Sequence, residues 1–216
     1  MEQKNVIRIV IALVLLGSVN GLAGGKGQEK KLIHFGWDLK SVSQLAEVID
    51  ELQYLPFDGT LIKSAWCYPF YSKSVGDPAN VIKLAKNIKW GRFTDNFIYL
   101  TAGKKIDWFD DSLWTDESDL IKNVRAVAKL GAAAGCQGVF FEPEFVYWGE
   151  GDNTWNYATQ KRKGEKTFAE FEEMVRKRGK QFIEVIEEFM PKTVFLTAFW
   201  GSQSSYIKAC KEVGNE

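Results

Sequence analysis

The stretch of sequence that decides the fold is residues 118–142, SDLIKNVRAVAKLGAAAGCQGVFFE. In its first part, apolar residues recur at the three- and four-residue spacing of an amphipathic helix: Ile121, Val124, Val127 and Ala128. Its last part, Gly138–Glu142, is a short apolar run that is typical of a buried β-strand. A helix that leads directly into a buried strand is the repeating unit of an α/β fold.

The same alternation extends along the chain in both directions. The pattern predicts strands over residues 32–37, 60–63, 96–101, 138–142 and 193–200. It predicts helices over residues 41–55, 79–89, 118–134, 167–189 and 205–213. Ser41 is the residue type expected at a helix N-cap. Five successive strand–helix units imply a parallel sheet with right-handed crossovers.

Two architectures fit this alternation, a (β/α)8 TIM-type barrel and a three-layer open sheet. The loops after the predicted strands are long, whereas those after the helices are short, which favours the barrel. A dinucleotide-binding open sheet would carry a Gly-rich phosphate fingerprint after its first strand, and this sequence has none there. We therefore predict an α/β fold of the (β/α)8 type.

The length of the chain modifies that prediction. A (β/α)8 barrel typically needs about 250 residues, and only five strands can be counted among these 216 residues. We therefore predict a partial (β/α) barrel domain over residues 31–216, apparently truncated after about five strand–helix units. The alternative is a barrel that is incomplete in the native protein, whose open edge something else must cover.

The first 23 residues have the pattern of a secretory signal peptide. Lys4 and Arg8 provide a positive start, the apolar run Ile9–Leu16 follows, and small residues continue to Ala23. The alternative is a membrane anchor, but the run is shorter than the roughly 20 apolar residues that span a bilayer. We predict an exported protein, periplasmic or secreted, with no membrane association after cleavage and a polar tether over residues 24–30.

Composition excludes several functional classes. The chain has 28 basic and 28 acidic residues, so no positive excess is present to neutralise the phosphates of a nucleic acid. One His and three Cys exclude a His-rich metal site, and we predict no cofactor and no metal. An oxygen-only cation site at Asp107, Asp110 and Asp111 stays an alternative. A solvated acidic loop that caps the next helix is the simpler interpretation of these three residues.

Tryptophan is the unusual residue in this sequence. Seven of the eight Trp end predicted strands or lie in the loops after them, at the end of the sheet where barrel sites are built: Trp37, Trp66, Trp108, Trp114, Trp148, Trp155 and Trp200. Aromatic faces beside carboxylates suit a sugar-binding cleft. The alternative is that these rings pack long loops onto the rim of the barrel.

Carboxylates accompany the aromatic residues. Glu142 and Glu144 flank Pro143, and residues two apart on a strand point to the same side. Two negative charges close together raise the pKa of one carboxyl group. A carboxyl group that keeps its proton in this way can act as a general acid. The alternative is a pair of loop carboxylates bound to nearby Lys or Arg. His34, the only His, shares a side of the first strand with Asp38; it either lines the site or is a hydrogen-bonded core residue.

Four motifs carry a family resemblance: residues 33–38 (IHFGWD), 56–59 (PFDG), 92–97 (RFTDNF) and 107–111 (DWFDD). They resemble a group of uncharacterised exported bacterial proteins regarded as (β/α)8 glycoside-hydrolase-like. The fourth predicted strand is similar in position to that of retaining barrel glycosidases, in which a Glu after strand four is the acid/base. By that resemblance Glu144 is the first choice and Glu142 the second. The family's nucleophile follows strand seven, which this sequence does not contain.

We therefore expect a glycoside hydrolase with a carbohydrate substrate, whose acid/base is Glu144 or Glu142. The expected substrate-binding residues are Trp37, Asp38, Trp66, Tyr147, Trp148, Trp200 and His34. One alternative is a non-catalytic glycan-binding or surface-assembly protein on a degenerate barrel. Another is a barrel enzyme of different chemistry, such as a hydrolase or lyase that depends on a hard metal.

Overall fold

A computed structural model describes residues 30–36, 38–69, 73, 76–102, 106–143, 154–155 and 157–198. In these residues the strands are β1 (Ile33–His34), β2 (Lys40–Ser41), β3 (Gly59–Lys63), β4 (Phe97–Thr101), β5 (Gly138–Glu142) and β6 (Val194–Thr197). The helices are α1 (Val42–Leu52), α2 (Ala79–Ala85), α3 (Asp119–Ala133) and α4 (Phe168–Glu187). The predicted helix over residues 205–213 lies outside the described residues, as do the predicted signal peptide and nearly all of the predicted tether.

The strands form one parallel sheet in the order β1, β3, β4, β5, β6. Apart from β2, which also pairs with β3, each strand therefore lies beside its neighbours in sequence. The predicted first strand, residues 32–37, is shorter than expected. Only Ile33 and His34 join the ladder there, and Lys40 and Ser41 pair again with β3 further along the chain.

The two faces of the sheet have different cores. The outer face carries Ile62, Ile98, Leu100 and Val139, which pack in one cluster with apolar residues from all four helices. The inner face carries Leu61, Phe97, Tyr99 and Phe140, which form a smaller cluster with residues such as Ile33 and Leu196. Alternation along each strand separates these two sets. The result is a curled parallel sheet, a half-barrel with its described helices on one side.

Helices α1 and α4 each begin at a polar N-cap residue whose side chain bonds to the backbone. Ser41 is the N-cap of α1, as predicted, and its hydroxyl accepts from the Gln44 backbone while the Gln44 side chain accepts from the Ser41 N–H. Thr167 and Glu170 form the same capping box at α4. Each N-cap satisfies backbone N–H groups that a helix start leaves without a partner. These contacts fix where the helices begin on the outer face.

The structure shortens several predicted elements. The first two predicted helices, residues 41–55 and 79–89, end at Leu52 and Ala85. The last predicted strand ends at Thr197.

No helix among the described residues is both long and apolar enough to cross a membrane.

Candidate functional site

The candidate site lies on the inner face, at the carboxyl ends of β4 and β5. The register pairs Tyr99 with Phe140 and Thr101 with Glu142. Because alternate residues of a strand share a face, Tyr99 and Glu142 both point to the inner side. The Tyr99 hydroxyl donates a hydrogen bond to Oε2 of Glu142. This contact joins the two strands where a barrel protein would place its chemistry.

Tyr99 is held in its neutral form. Its side chain is buried, and burial raises the pKa of the phenol well above its ordinary value. The hydrogen bond to Glu142 and the negative charge of that carboxylate raise the pKa of Tyr99 further. The phenol therefore stays a proton donor across the physiological range.

The loop after β3 forms one wall of this site. The backbone N–H of Thr101 donates to the carbonyl oxygen of Cys67 at 2.9 Å, which ties the loop to the end of β4. Cys67 is fully buried, and burial raises the pKa of its thiol to about 11, so it is not a nucleophile at neutral pH. The next residue, Tyr68, packs against the inner cluster and lies 5.9 Å, ring centroid to Nζ, from Lys63.

His34 and Asp38 contact each other, on a different side of the sheet. His34 lies between Ile33 and Phe35, which both pack on the inner cluster, so its ring points to the outer side. Its Nε2 lies 3.4 Å from the Asp38 carboxylate, and its Nδ1 lies 3.1 Å from the Thr60 hydroxyl. The structure therefore places these two expected binding residues apart from Tyr99 and Glu142.

The described Trp residues of the strand-end set do not line the inner face. Trp66 is 5% exposed and packs in the outer cluster, so its ring has no face to offer a ligand. Trp108 and Trp114 are buried in the same cluster and lie 6.0 Å apart between ring centroids, and Trp155 lies 5.4 Å from Trp108. Trp66 is therefore packed in the core, whereas Trp108, Trp114 and Trp155 line a groove of about 570 Å³, and Trp155 is 39% exposed. Position after a strand does not determine towards which face a loop folds.

The acidic loop is engaged by basic and backbone partners. Asp107 accepts from Arg162 at 2.8 Å, and Asp111 pairs with Arg178. Asp110 caps the turn Asp111–Trp114 through Ser112, and these hydrogen bonds lower the pKa of the Asp110 carboxyl. The described part of the chain contains no group of three or more His, Cys, Asp or Glu that could hold a metal ion.

Five expected site residues lie outside the described residues: Trp37, Glu144, Tyr147, Trp148 and Trp200. Sequence reasoning overlooked Tyr99. A Tyr inside a buried strand needs a partner for its hydroxyl, which is a usable signal. The identity of that partner depends on the register between β4 and β5, which one strand's sequence does not contain.

No family model, curated protein or solved structure matches this chain.

Proposed function

We propose that this chain is part of a carbohydrate-active (β/α)8 barrel that hydrolyses a glycosidic bond. The observation that carries the proposal is the position of Glu142, at the carboxyl end of β5 on the inner face, with the Tyr99 hydroxyl bound to it. Active sites of (β/α) barrels are built at that end of the strands. Glu142 is also the one acidic residue within the six described strands.

The hydrogen bond from Tyr99 suggests how the two glutamates divide the work. A carboxylate that accepts a hydrogen bond is stabilised in its charged form, which suits a base or a group that binds sugar hydroxyls. The general acid must instead carry a proton at the glycosidic oxygen. We therefore assign the acid role to Glu144, two residues further on, and the ionised role to Glu142.

Substrate binding in this proposal uses the inner face. Tyr68 and Phe35 pack against the inner cluster, which also contains Tyr99. Trp37, Tyr147, Trp148 and Trp200 stay predicted stacking residues from the sequence. Trp66 is omitted because it is buried, and His34 with Asp38 is assigned to holding the edge strand. Export through residues 1–23 belongs to the same proposal, because polysaccharide substrates lie outside the cytoplasm.

The experiment is hydrolysis of an oligosaccharide panel by the full chain, measured as release of reducing ends. Because the resemblance places the nucleophile after a seventh strand that this sequence does not contain, we expect this chain alone to be inactive. When a segment that carries that carboxylate is supplied, we expect activity on at least one glycan, with a loss of about 100-fold or more in Glu142→Gln and in Glu144→Gln. Both substitutions keep the shape of the side chain. Glu142→Gln removes the negative charge, and Glu144→Gln removes the proton that the general acid donates. Glu173→Gln, on the exposed side of α4, is the matched control and should keep full activity. Absence of release from every glycan when that segment is supplied would count against a hydrolase.

A non-catalytic glycan-binding protein is the second candidate. The single acidic residue on the described strands favours it, because both common glycosidase mechanisms need two carboxyl groups. Titration of the full chain with the same glycans, followed by Trp fluorescence, distinguishes the two candidates. Saturable binding without release of reducing ends, unaffected by Glu144→Gln, would establish the binding protein.

A further inference from the structure

Strands β3 and β5, which flank β4, end in a basic and an acidic residue. Lys63 is the last residue of β3, and Glu142 is the last residue of β5. Leu61 packs in the inner cluster and Ile62 in the outer one. Alternation along β3 therefore turns Lys63 to the inner side, where Glu142 also lies. Continuing the β3–β4 register by one residue places Lys63 beside Tyr99, so Lys63 belongs to the inner face of the candidate site.

The ammonium group of Lys63 contacts Tyr68, in the loop after β3. Its Nζ lies 5.9 Å from the centroid of the Tyr68 ring, within the range of a cation–π contact. After burial and Glu142, the phenol of Tyr68 also raises the pKa of Tyr99, so the two phenols lie near each other. Four polar side chains thus meet at the carboxyl ends of β3, β4 and β5: Lys63, Tyr68, Tyr99 and Glu142.

The charge of Lys63 is available to a ligand. In the part of the chain that the structure describes, no carboxylate forms an ion pair with Lys63, and its side chain is exposed. Neighbouring strands lie about 4.8 Å apart, so β3 and β5 are separated by about 10 Å. Lys63 and Glu142 therefore face the same space from two sides and can contact different parts of one ligand.

We propose that the ligand of this site is an anionic sugar unit, and that Lys63 binds its negative charge, a carboxylate or a sulfate ester. The proposal rests on the carbohydrate function proposed above and names its substrate class. An ammonium group gains more from a charged acceptor than from a neutral hydroxyl, because charge-assisted hydrogen bonds are roughly twice as strong. Glu142 alone would repel an anionic ligand, and Lys63 on the same face offsets that negative charge.

Titration calorimetry of the full chain with matched charged and uncharged glycans tests the proposal. The carboxylate probes are trimers of galacturonate, glucuronate and mannuronate, each compared with its methyl ester. The sulfate probes are sulfated galactose oligomers, compared with their desulfated forms. We expect at least one charged probe to bind about 10-fold or more tightly than its uncharged form, because the uncharged form lacks the ion pair with Lys63. The probe that binds then identifies the charge as carboxylate or sulfate.

Variants of Lys63 show whether this residue recognises the charge. Lys63→Met keeps most of the stem and removes the charge, so the charged probe should bind about as weakly as its uncharged form. Lys63→Arg keeps the charge and should retain most of the binding. Lys89→Met is the matched control, since Lys89 is an exposed lysine in the loop before β4, and it should bind like the wild type. In the unaltered protein, bound ligand should protect Lys63, and not Lys89, from acetic anhydride, measured by peptide mass spectrometry.

Three results would overturn the proposal, and they differ in what they mean for the carbohydrate function. Equal affinity for charged and uncharged probes would show that the ligand is a neutral sugar, with the carbohydrate function intact. A preference for charged probes that Lys63→Met leaves unchanged would show that the anion binds elsewhere on the chain. Binding of no glycan, charged or uncharged, would count against both this proposal and the carbohydrate function.

Discussion

Tyr99 on β4 donates its hydroxyl hydrogen to the carboxylate of Glu142 on β5, across the middle of the described sheet. The phenol is 7% exposed, so this hydrogen bond forms where water is largely excluded. A charged acceptor in such surroundings strengthens a hydrogen bond relative to a neutral pair. The stability that this hydrogen bond gives the inner face therefore depends on whether Tyr99 keeps its proton and Glu142 carries its charge.

Tyr99→Phe should destabilise the protein by about 1–2 kcal/mol at pH 7, because it removes one hydrogen bond to a charged group and little volume. The folded protein raises the pKa of Tyr99 above its ordinary value of 10.0. Above about pH 10 the unfolded chain loses this proton while the folded protein keeps it, so the wild type loses stability as the pH rises. The advantage of the wild type over Tyr99→Phe should then shrink from pH 9 to pH 11.

Urea denaturation of both proteins at pH 7, 9, 10 and 11 measures this difference. Tyr54→Phe is the control, since Tyr54 is 91% exposed and should show no such dependence on pH. A stability difference that stays constant up to pH 11 would contradict the raised pKa of Tyr99, which results first from burial and then from Glu142.

Arg178 should be far more important for stability than the carboxylate with which it pairs. Its side chain is 2% exposed, its Nε donates to the Trp108 carbonyl oxygen at 3.0 Å, and its guanidinium lies 5.2 Å from the Trp114 ring centroid. Arg178→Ala removes these contacts, including a hydrogen bond to a buried carbonyl, which should cost about 2–4 kcal/mol. Asp111 is 84% exposed, so water can replace it as a partner.

Chemical denaturation of Arg178→Ala and Asp111→Ala provides the comparison. We expect a large decrease in the denaturation midpoint for the first variant and a small one for the second. Equal losses would mean that the ion pair, rather than the contacts of Arg178 with the Trp residues, stabilises this loop.

The sequence predicted local elements better than their surroundings. Strand β5 runs from Gly138 to Glu142 as predicted, because a buried central strand has a continuous run of apolar residues. Ser41 is the N-cap of α1 as predicted, because its hydroxyl bonds to a backbone N–H within one helical turn. Each of these predictions depends on residues that are close in sequence. The partner of Tyr99 and the buried position of Trp66 depend instead on strand register and on the direction in which loops fold. Those contacts join residues far apart in the chain.

Gly138→Ala should be among the most damaging small substitutions in the sheet. A Cβ on Gly138 would lie 1.8 Å from the carbonyl oxygen of Val194, so β5 and β6 would have to separate. We expect a loss of about 3 kcal/mol or more, above the usual range for overpacking, because the obstructing atom belongs to the backbone. Gly164→Ala is the matched control, since a Cβ there meets no heavy atom within 4 Å. Thermal unfolding of both variants checks the prediction, and similar melting temperatures would show that the two strands are not held this closely.

The thiol of Cys67 should be nearly inert in the folded protein. Burial is the main reason that its pKa is raised from 9.0 to about 11. At pH 8 the thiolate fraction is then about 100-fold lower than for an ordinary thiol, and the fully buried sulfur is also inaccessible to reagent. Iodoacetamide at pH 8, followed by peptide mass spectrometry, should label Cys67 only when urea unfolds the chain.

Because the folded protein keeps a proton that the unfolded chain loses above about pH 9, this thiol also lowers stability progressively from pH 9 to pH 11. Cys67→Ala should weaken that alkaline loss, and rapid labelling of the native protein would contradict the buried position of Cys67 beside β4.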